Sequence, residues 1–291
     1  MTEAQSLVIG PVRARADVRR LRENRLVIGA ALAIVALAVF AIAGPWLSPY
    51  SYDALDWRHI SIAPGFSGSH WLGTDPLGRD LYVRTLYGLR LSLLIGVLAT
   101  AVSVGIGVAW GAVAGYVGGR TDSWMMRAVD VLYALPYLFV VIILATVFGR
   151  GSIVMLLMAI GAVGWLTMAR VVRGQTLSLK RREFIEAARA TGLGTPAILV
   201  RHIVPNVAGT VVVYATLTIP ELITYESFLS FLGLGVQEPL ASLGSLINNG
   251  ARQMLTAPWL LLVPAGFLIA LLLCFNLLGD GLRDALDPTG R

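Results

Sequence analysis

The sequence predicts an all-α polytopic membrane protein with about six transmembrane helices. Composition is the first observation behind this prediction, because 56% of the residues are hydrophobic and only 14% are charged, against about 45–50% and about 25% in soluble domains. The second observation is that the charges leave six apolar windows without any Asp, Glu, Lys or Arg. These windows are residues 26–52, 91–119, 131–149, 151–169, 203–220 and 253–279.

The length of each window fits one membrane-spanning helix. A helix needs about 20 residues to cross a hydrocarbon core of about 30 Å, and every window has at least 18 residues. The shortest window, 203–220, reaches a comfortable length if its helix continues through Glu221 and Glu226.

The basic residues predict how these spans are oriented. With the N-terminus in the cytoplasm, 17 of the 23 Lys and Arg residues lie on the cytoplasmic side and six lie outside. Membrane proteins show this bias towards the cytoplasm, so we expect cytoplasmic tails at residues 1–25, which are Arg-rich, and 288–291. The net charge of +6 then lies beside anionic membrane lipid and requires no nucleic-acid partner.

The first span resembles a secretory signal, since an Arg-rich start precedes an apolar run that ends in Ala41-Ile42-Ala43. A signal core has about 7–15 apolar residues, and the run here is longer. We therefore expect an uncleaved helix over 26–48, followed by an outer loop over 49–88.

Within that outer loop, Gly73 to Asp80 reads GTDPLGRD and predicts an ordered, turn-rich cap. Such residues could bind a ligand, but bracing the loop against its own backbone is their more common use. The residues concerned are Asp75, Gly78, Arg79 and Asp80.

Small residues and prolines mark the second, third and fifth spans. Ser103, Gly107, Gly111 and Gly115 recur every four residues and so share one helix face, which predicts a packing seam within or between subunits. Pro136, Pro205 and Pro220 each remove a backbone donor and predict kinks.

Several polar residues are candidates for a translocation pathway through the membrane. A carboxylate at membrane depth faces protein, water or a substrate path, and a structural hydrogen bond is the more frequent role for any single one of them. Two of the candidates, Asn248 and Asn249, belong to a broken outer loop over 229–258 that we expect to line a vestibule. The candidates are Glu221, Tyr225, Glu226, Asn248 and Asn249.

No motif for catalysis or cofactor binding is present in the sequence. Lys180 is the only lysine and follows no glycine-rich phosphate loop, so the chain has no ATP site of that kind. The motifs HExxH and GxSxG are missing, and the three histidines are scattered along the sequence. We therefore expect no enzyme activity, metal or cofactor in this chain, and a structural role for Cys274.

The predicted cytoplasmic loop 173–202 carries the most informative motif: Glu186-Ala187-Ala188 precedes Gly192 by a short interval, and Pro205 follows. This pattern resembles the EAA signature of permeases of ATP-binding-cassette importers. Taken alone it also suits an amphipathic connector on the membrane surface. GTDPLGRD, SFLGLGVQEP at 230–239 and the terminal FNLLGDGLRDALDP resemble the C-type permease of peptide importers, and the resemblance extends from the first span to residue 288.

The resemblance implies a type I importer permease fold over 89–287, in the plasma (inner) membrane of a prokaryote. It further implies a B-type permease partner, two ATPase subunits (separate or fused) that bind ATP and Mg, and an external peptide-binding protein. The substrate would be a peptide, with oligopeptides favoured over dipeptides, glutathione or metal chelates. The residues expected to dock the ATPase are Glu186, Ala187, Ala188, Gly192, Arg201 and Pro205.

Two other protein classes remain as alternatives. A secondary transporter would work without nucleotide-binding partners and often shows inverted repeats, which this sequence lacks. A membrane-embedded enzyme would need a cluster of acid, base or metal ligands.

Overall fold

The computed structural model describes residues 24–65, 70–147 and 153–286, and within these ranges the chain is helical without a named β-strand. The predicted tails 1–25 and 288–291 lie outside the described residues, apart from Asn24 and Arg25. The helices are α1 (Arg25–Ala43), α2 (Leu81–Val117), α3 (Gly119–Ala134), α4 (Tyr137–Val147), α5 (Ile153–Leu179), α6 (Glu183–Ala190), α7 (Thr195–Ile198), α8 (Val204–Phe231), α9 (Leu243–Ala251) and α10 (Trp259–Leu286).

Five helical stretches in the described part of the chain are long and apolar enough to cross a membrane, and a bent pair of helices makes a possible sixth. This confirms the prediction of about six spans. The helix over 203–220 does continue through Glu221 and Glu226, since α8 ends at Phe231. The five stretches are Arg25–Leu47, Leu81–Val117, Ile153–Leu179, Thr195–Phe231 and Trp259–Ala285.

The third apolar window, residues 131–149, is divided by a sharp bend. The chain turns by 87° between Gly119–Ala134 and Tyr137–Leu144. Leu135 adopts an extended conformation there, because the ring of Pro136 excludes the helical conformation for the preceding residue. Charge-free length alone does not reveal such a break, although Pro136 was correctly predicted to disturb the helix.

Pro205 and Pro220 are accommodated within helical structure. Before Pro205, residues Leu199–Ile203 form a wider helical turn, a local adjustment that re-satisfies carbonyls next to a proline. Pro220 lies inside α8, where its own carbonyl accepts a bond from the Thr224 hydroxyl at 2.8 Å.

The spanning helices place the connecting segments at two ends of the bundle. One end, called here the α6 end, gathers the end of α2, the end of α5, α6 and the start of α8, which share an apolar cluster. The opposite end, called here the long-loop end, carries residues 48–65, 70–80 and 232–258. Its packing includes Leu81 against Leu260 and Leu89 against Leu243.

The seam of small residues on α2 packs against α5 of the same chain, which settles the prediction in favour of contact within the subunit. A Cβ on Gly107 would lie 2.6 Å from the Cβ of Met168, and one on Gly111 would lie 2.4 Å from the Ala169 carbonyl oxygen. The Ser103 hydroxyl bonds to the Gly161 carbonyl at 3.3 Å. Helices α2 and α5 are therefore in close backbone contact along this seam.

Helix α3 is fastened to α5 by two ion pairs. Asp122 receives two bonds from Arg173, at 2.5 and 2.7 Å, and Asp130 receives one from Arg170 at 2.8 Å. Two-point bonds between arginine and a carboxylate fix orientation as well as distance.

Candidate functional site

Helix α6 is a short, sharply bounded helix at the α6 end. Its N-terminal turn carries Glu183 and Glu186, and acidic residues there are favourable to the helix dipole. Its C-terminal end is closed by Gly192, whose N–H bonds to the Arg189 carbonyl at 2.9 Å, while the Leu193 N–H bonds to the Ala188 carbonyl at 3.2 Å. This pair of bonds is the Schellman arrangement. Gly192 has φ +81°, which confirms the predicted left-handed end of this helix.

One face of α6 packs on the bundle and the other is exposed. Ile185 and Ala188 are buried in the apolar cluster at the α6 end, while Glu186 and Ala187 are exposed. Phe184 keeps 42% of its surface exposed. We predicted that Ala188 would keep an outward docking surface small, and that was wrong. Ala188 lies three residues after Ile185 and therefore on the same inward face.

Two side chains tie this segment to the end of α2. Arg189 bonds to the Tyr116 hydroxyl at 3.1 Å and lies over the Tyr116 ring at 4.9 Å. Lys180 donates to the Gly115 carbonyl at 2.9 Å. These contacts connect the α6 segment to the end of α2, which packs on α5 through the seam of small residues.

Of the other two residues predicted for docking, Arg201 lies within the wider turn that follows α7, and Pro205 lies just beyond that turn. Arg201 and Pro205 are both exposed. They share the side of the bundle that carries α6, because Ile198 and Ile203 beside them belong to the same apolar cluster as Ile185.

A second feature is a polar cleft between α3, α4, α5 and α8, next to the bend at Pro136. The Tyr225 hydroxyl donates to Glu221 at 3.0 Å, and the Tyr225 ring lies 4.0 Å from the Tyr137 ring. The cleft has a volume of about 230 Å³. Among its lining residues are Leu132, Tyr133, Tyr137, Thr167, Glu221 and Tyr225.

Glu226 was predicted for the pathway, but it is fully buried inside the protein. Its carboxylate accepts bonds from Ser92 at 2.9 Å, Ser230 at 2.7 Å and Ser227 at 3.3 Å. Ser92 in turn accepts the N–H of Leu243 at 3.3 Å. Glu226 therefore joins α2, α8 and α9. Of the two roles considered for it, the three hydroxyl partners in the core support the structural hydrogen bond rather than a place in the pathway.

Asn248 and Asn249 lie elsewhere, on α9 at the long-loop end. They line a cleft of about 150 Å³ together with Arg84 and Glu238. The candidates for a pathway thus divide between the cleft beside the Pro136 bend and the cleft at the long-loop end, with Glu226 in neither.

The GTDPLGRD segment folds on itself and reaches a distant loop. Asp75 accepts the backbone N–H groups of Leu77 and Arg79, both at 2.9 Å, and bonds to the Arg79 side chain at 2.6 Å. Arg79 also donates to Glu238 at 3.0 Å, and this bond lowers the pKa of the Glu238 carboxyl. Gly78, with φ +73°, leaves no room for a side chain, since a Cβ would lie 2.0 Å from the Asp56 carbonyl oxygen.

Comparison with known proteins decides the family. Residues 107–291 match the family of binding-protein-dependent transport system inner membrane components, and residues 15–64 match the N-terminal transmembrane domain of oligopeptide transport permease C. The oligopeptide transport system permease protein OppC of Escherichia coli (strain K12) is 54% identical over 273 residues, covering 94% of this chain and 90% of the relative. This chain belongs to that permease family.

Further relatives agree with this assignment. The OppC of Haemophilus influenzae is 50% identical and covers 94% of this permease and 88% of the relative. The dipeptide transport system permease protein DppC of Bacillus subtilis (strain 168) is 46% identical, with 93% and 84% covered. This permease is therefore a multi-pass protein of the bacterial inner membrane and a non-catalytic membrane component of a transport system.

The fold of this permease also matches a solved structure. Inward-facing structures of the MetNI methionine ABC transporter contain a chain that aligns with a TM-score of 0.57 at 16% identity. The alignment covers 70% of this permease and 97% of that chain. It shows that the type I importer permease fold is shared.

Sequence reasoning missed two polar features of this permease. The bond between Arg79 and Glu238 joins residues 159 positions apart, and no local sequence pattern predicts it. The second feature is a group of loop side chains, Asp56, His59 and His70, whose ligand atoms lie within 4.8 Å of one another. The scattered spacing of the histidines concealed it.

Proposed function

We propose that this permease forms half of the translocation pore of an ATP-driven oligopeptide importer, with a B-type permease as the other half. Two ATPase subunits would bind ATP and Mg, and an external peptide-binding protein would deliver the substrate. The observation that carries the proposal is α6, a helix with one exposed face that two backbone bonds close at its C-terminal end and that is bonded to the end of α2.

The geometry of α6 suits the transfer of motion from a partner. Its exposed face offers the carboxylate of Glu186, the small side chain of Ala187 and the ring of Phe184, a combination of charge and apolar surface that a complementary cleft on an ATPase can hold. Its inward face is buried at Ile185 and Ala188. Because packed cores do not deform continuously, a pull on α6 would move α2 and α5 together.

The cleft beside the Pro136 bend supplies a site for the peptide. Glu221 is exposed and bonded to Tyr225, and polar groups at membrane depth are costly unless they face protein, water or substrate. Glu221 would accept bonds from the peptide's amino or amide groups, while the rings of Tyr137 and Tyr225 would contact its side chains. The bend at Pro136 lies beside this cleft and places a hinge where the two access states could interchange.

Dipeptides are the second candidate substrate, because the relative from Bacillus subtilis is a dipeptide permease at 46% identity. Both substrates carry a free amino group that Glu221 could bind. A secondary transporter is the alternative without ATPases.

The experiment that tests the proposed function is purification of this permease in mild detergent from cells that also produce its partners. We expect a B-type permease and an ATPase to copurify. In the reconstituted assembly, oligopeptides presented by the binding protein should stimulate ATP hydrolysis and accumulate in vesicles. Peptide transport by an assembly that contains no ATPase would contradict the proposal.

A further inference from the structure

Three side chains of the long loop between α1 and α2 converge on one point. They are Asp56, His59 and His70, and one ligand atom from each lies within 4.8 Å of the others. The His59 Nδ1 lies 2.7 Å from Asp56 Oδ2, and the His70 Nε2 lies 3.6 Å from the same oxygen. Two imidazoles and a carboxylate are a donor set that proteins use for zinc.

The ring of His70 is held from behind by a second carboxylate. Its Nδ1 lies 2.8 Å from Asp80 Oδ2, and an ionised carboxylate only accepts hydrogen bonds, so Nδ1 carries the proton. In the neutral ring, Nε2 then presents a lone pair. Metal-binding histidines show this arrangement, in which a carboxylate fixes the tautomer and the orientation of the ring.

The Nε2 of His70 has no hydrogen-bond partner among the described residues, although the residue is only 5% exposed. A buried lone pair that lies 3.6 Å from a carboxylate oxygen is unfavourable unless a cation is bound between them. The ring is also pinned by stacking on Tyr50 at a centroid distance of 4.0 Å, so it does not turn away easily.

We propose that Asp56, His59 and His70 bind a divalent transition-metal cation, with zinc as the best match. Bond lengths to zinc are about 2.0–2.2 Å, which puts neighbouring ligand atoms of a tetrahedron about 3.4 Å apart. The 3.6 Å spacing between His70 Nε2 and Asp56 Oδ2 is close to that value, and the 2.7 Å spacing between His59 Nδ1 and the same oxygen is a hydrogen bond that the ion would replace. Three protein ligands leave the fourth position to water, and the side chains of Asp56 and His59 are 28% and 45% exposed, so the ion has a route in.

The proposed ion would fasten the loop to the start of α2. Asp80, which orients His70, also accepts the N–H of Val83 at 2.9 Å and so begins that helix. The Asp56 N–H bonds to the Gly78 carbonyl at 3.3 Å. The metal site would therefore stabilise the GTDPLGRD segment, and this role does not depend on the proposed transport function.

Metal content of the purified full-length chain tests the proposal. The chain should carry an affinity tag without histidine, be stripped with a chelator, and then be dialysed against zinc chloride at a low concentration. We expect one bound zinc per chain by elemental mass spectrometry. The variants His70→Gln and Asp56→Asn should each bind zinc at least tenfold more weakly, and Asp80→Asn about 10–100-fold more weakly.

Two substitutions serve as matched controls. His202→Gln removes an imidazole at the α6 end, and Asp53→Asn removes a carboxylate from the same loop outside the cluster, so both should bind zinc like the wild type. Should the cluster variants fail to fold, cobalt(II) added to the wild-type chain decides, because a tetrahedral site gives intense visible absorption bands. Zinc content near zero in the wild type, equal zinc in wild type and His70→Gln, or no tetrahedral cobalt bands would each overturn the proposal.

Discussion

Gly192→Ala is the substitution that most directly probes how α6 is ended. Gly192 has φ +81°, and a residue with a Cβ pays about 1–2 kcal/mol in this left-handed conformation. A Cβ at this position would meet nothing within 4 Å, so the expected loss is a backbone effect without a steric clash. The free energy that stabilises the helical state of α6 against local unfolding should therefore fall by about 1–2 kcal/mol. This is a factor of about 5–30 in the equilibrium constant for local unfolding.

Hydrogen exchange of the purified permease measures this change. Amides bonded within residues 183–193 should exchange about 5–30 times faster in Gly192→Ala, while amides in the α2–α5 seam should be unaffected. The exchange rates of Gly192→Asn should lie between those of the wild type and Gly192→Ala, since asparagine tolerates this conformation better than alanine.

A glycine two residues later provides the control. Gly194 has φ −70°, and its nearest outside atom to a new Cβ is 3.9 Å away, so Gly194→Ala should leave the exchange rates within about twofold, because no strain is introduced. Equal protection in Gly192→Ala and wild type, or equal loss in both variants, would refute the role assigned to the left-handed turn.

Three further predictions address the seam, the cleft and the long-loop end. Gly111→Ala places a methyl group 2.4 Å from a carbonyl oxygen of α5 and should destabilise the permease by about 1–3 kcal/mol in thermal unfolding. Gly105→Ala adds a methyl group in open space on the same helix and should leave the stability unchanged. Equal unfolding of the two variants would contradict the packing seam. Glu221→Gln should reduce peptide uptake at least tenfold, because a charged acceptor is lost, while ATPase copurification is kept; normal uptake would remove Glu221 from the pathway. Arg79 lowers the pKa of the Glu238 carboxyl. The Arg79–Glu238 ion pair therefore contributes its full stabilisation above the ordinary glutamate pKa, and this stabilisation is lost as the pH falls through the lowered pKa of Glu238. Proteolysis of the long-loop end should thus accelerate at acidic pH in the wild type but show no such pH step in Glu238→Gln, and an identical pH profile for both would contradict this ion pair.

Much of the fold was accessible from the sequence because membrane crossing is a one-dimensional constraint. Charge-free length predicts the spans around α1, α2, α5, α8 and α10, since an unpaired charge in lipid is costly wherever it occurs. The spacing of Gly107, Gly111 and Gly115 likewise reports a helix face directly, and the structure confirms a seam there.

The rest depended on contacts that no local pattern encodes. The third window lacks charges along its length and Pro136 predicts a kink in it, but the size of the turn, 87°, is visible only in the structure. Ala188 shares its motif with Ala187, but only the packing of Ile185 shows which of the two faces inward. Glu226 is polar at membrane depth for a structural reason, since three serine hydroxyls from distant and neighbouring positions surround it.

Disulfide or maleimide crosslinking from α6 to the ATPase tests the central claim most directly. Cys274 is the only cysteine, so a Cys274→Ser background permits single cysteines at the exposed Ala187 and at the buried Ala188 of the same helix. We predict that Ala187→Cys crosslinks to an ATPase subunit in the assembled transporter, with a yield that changes when ATP is added, and that Ala188→Cys does not. Labelling of Ala187→Cys by a membrane-impermeant reagent from outside the cell, with no crosslink to any ATPase, would contradict the account.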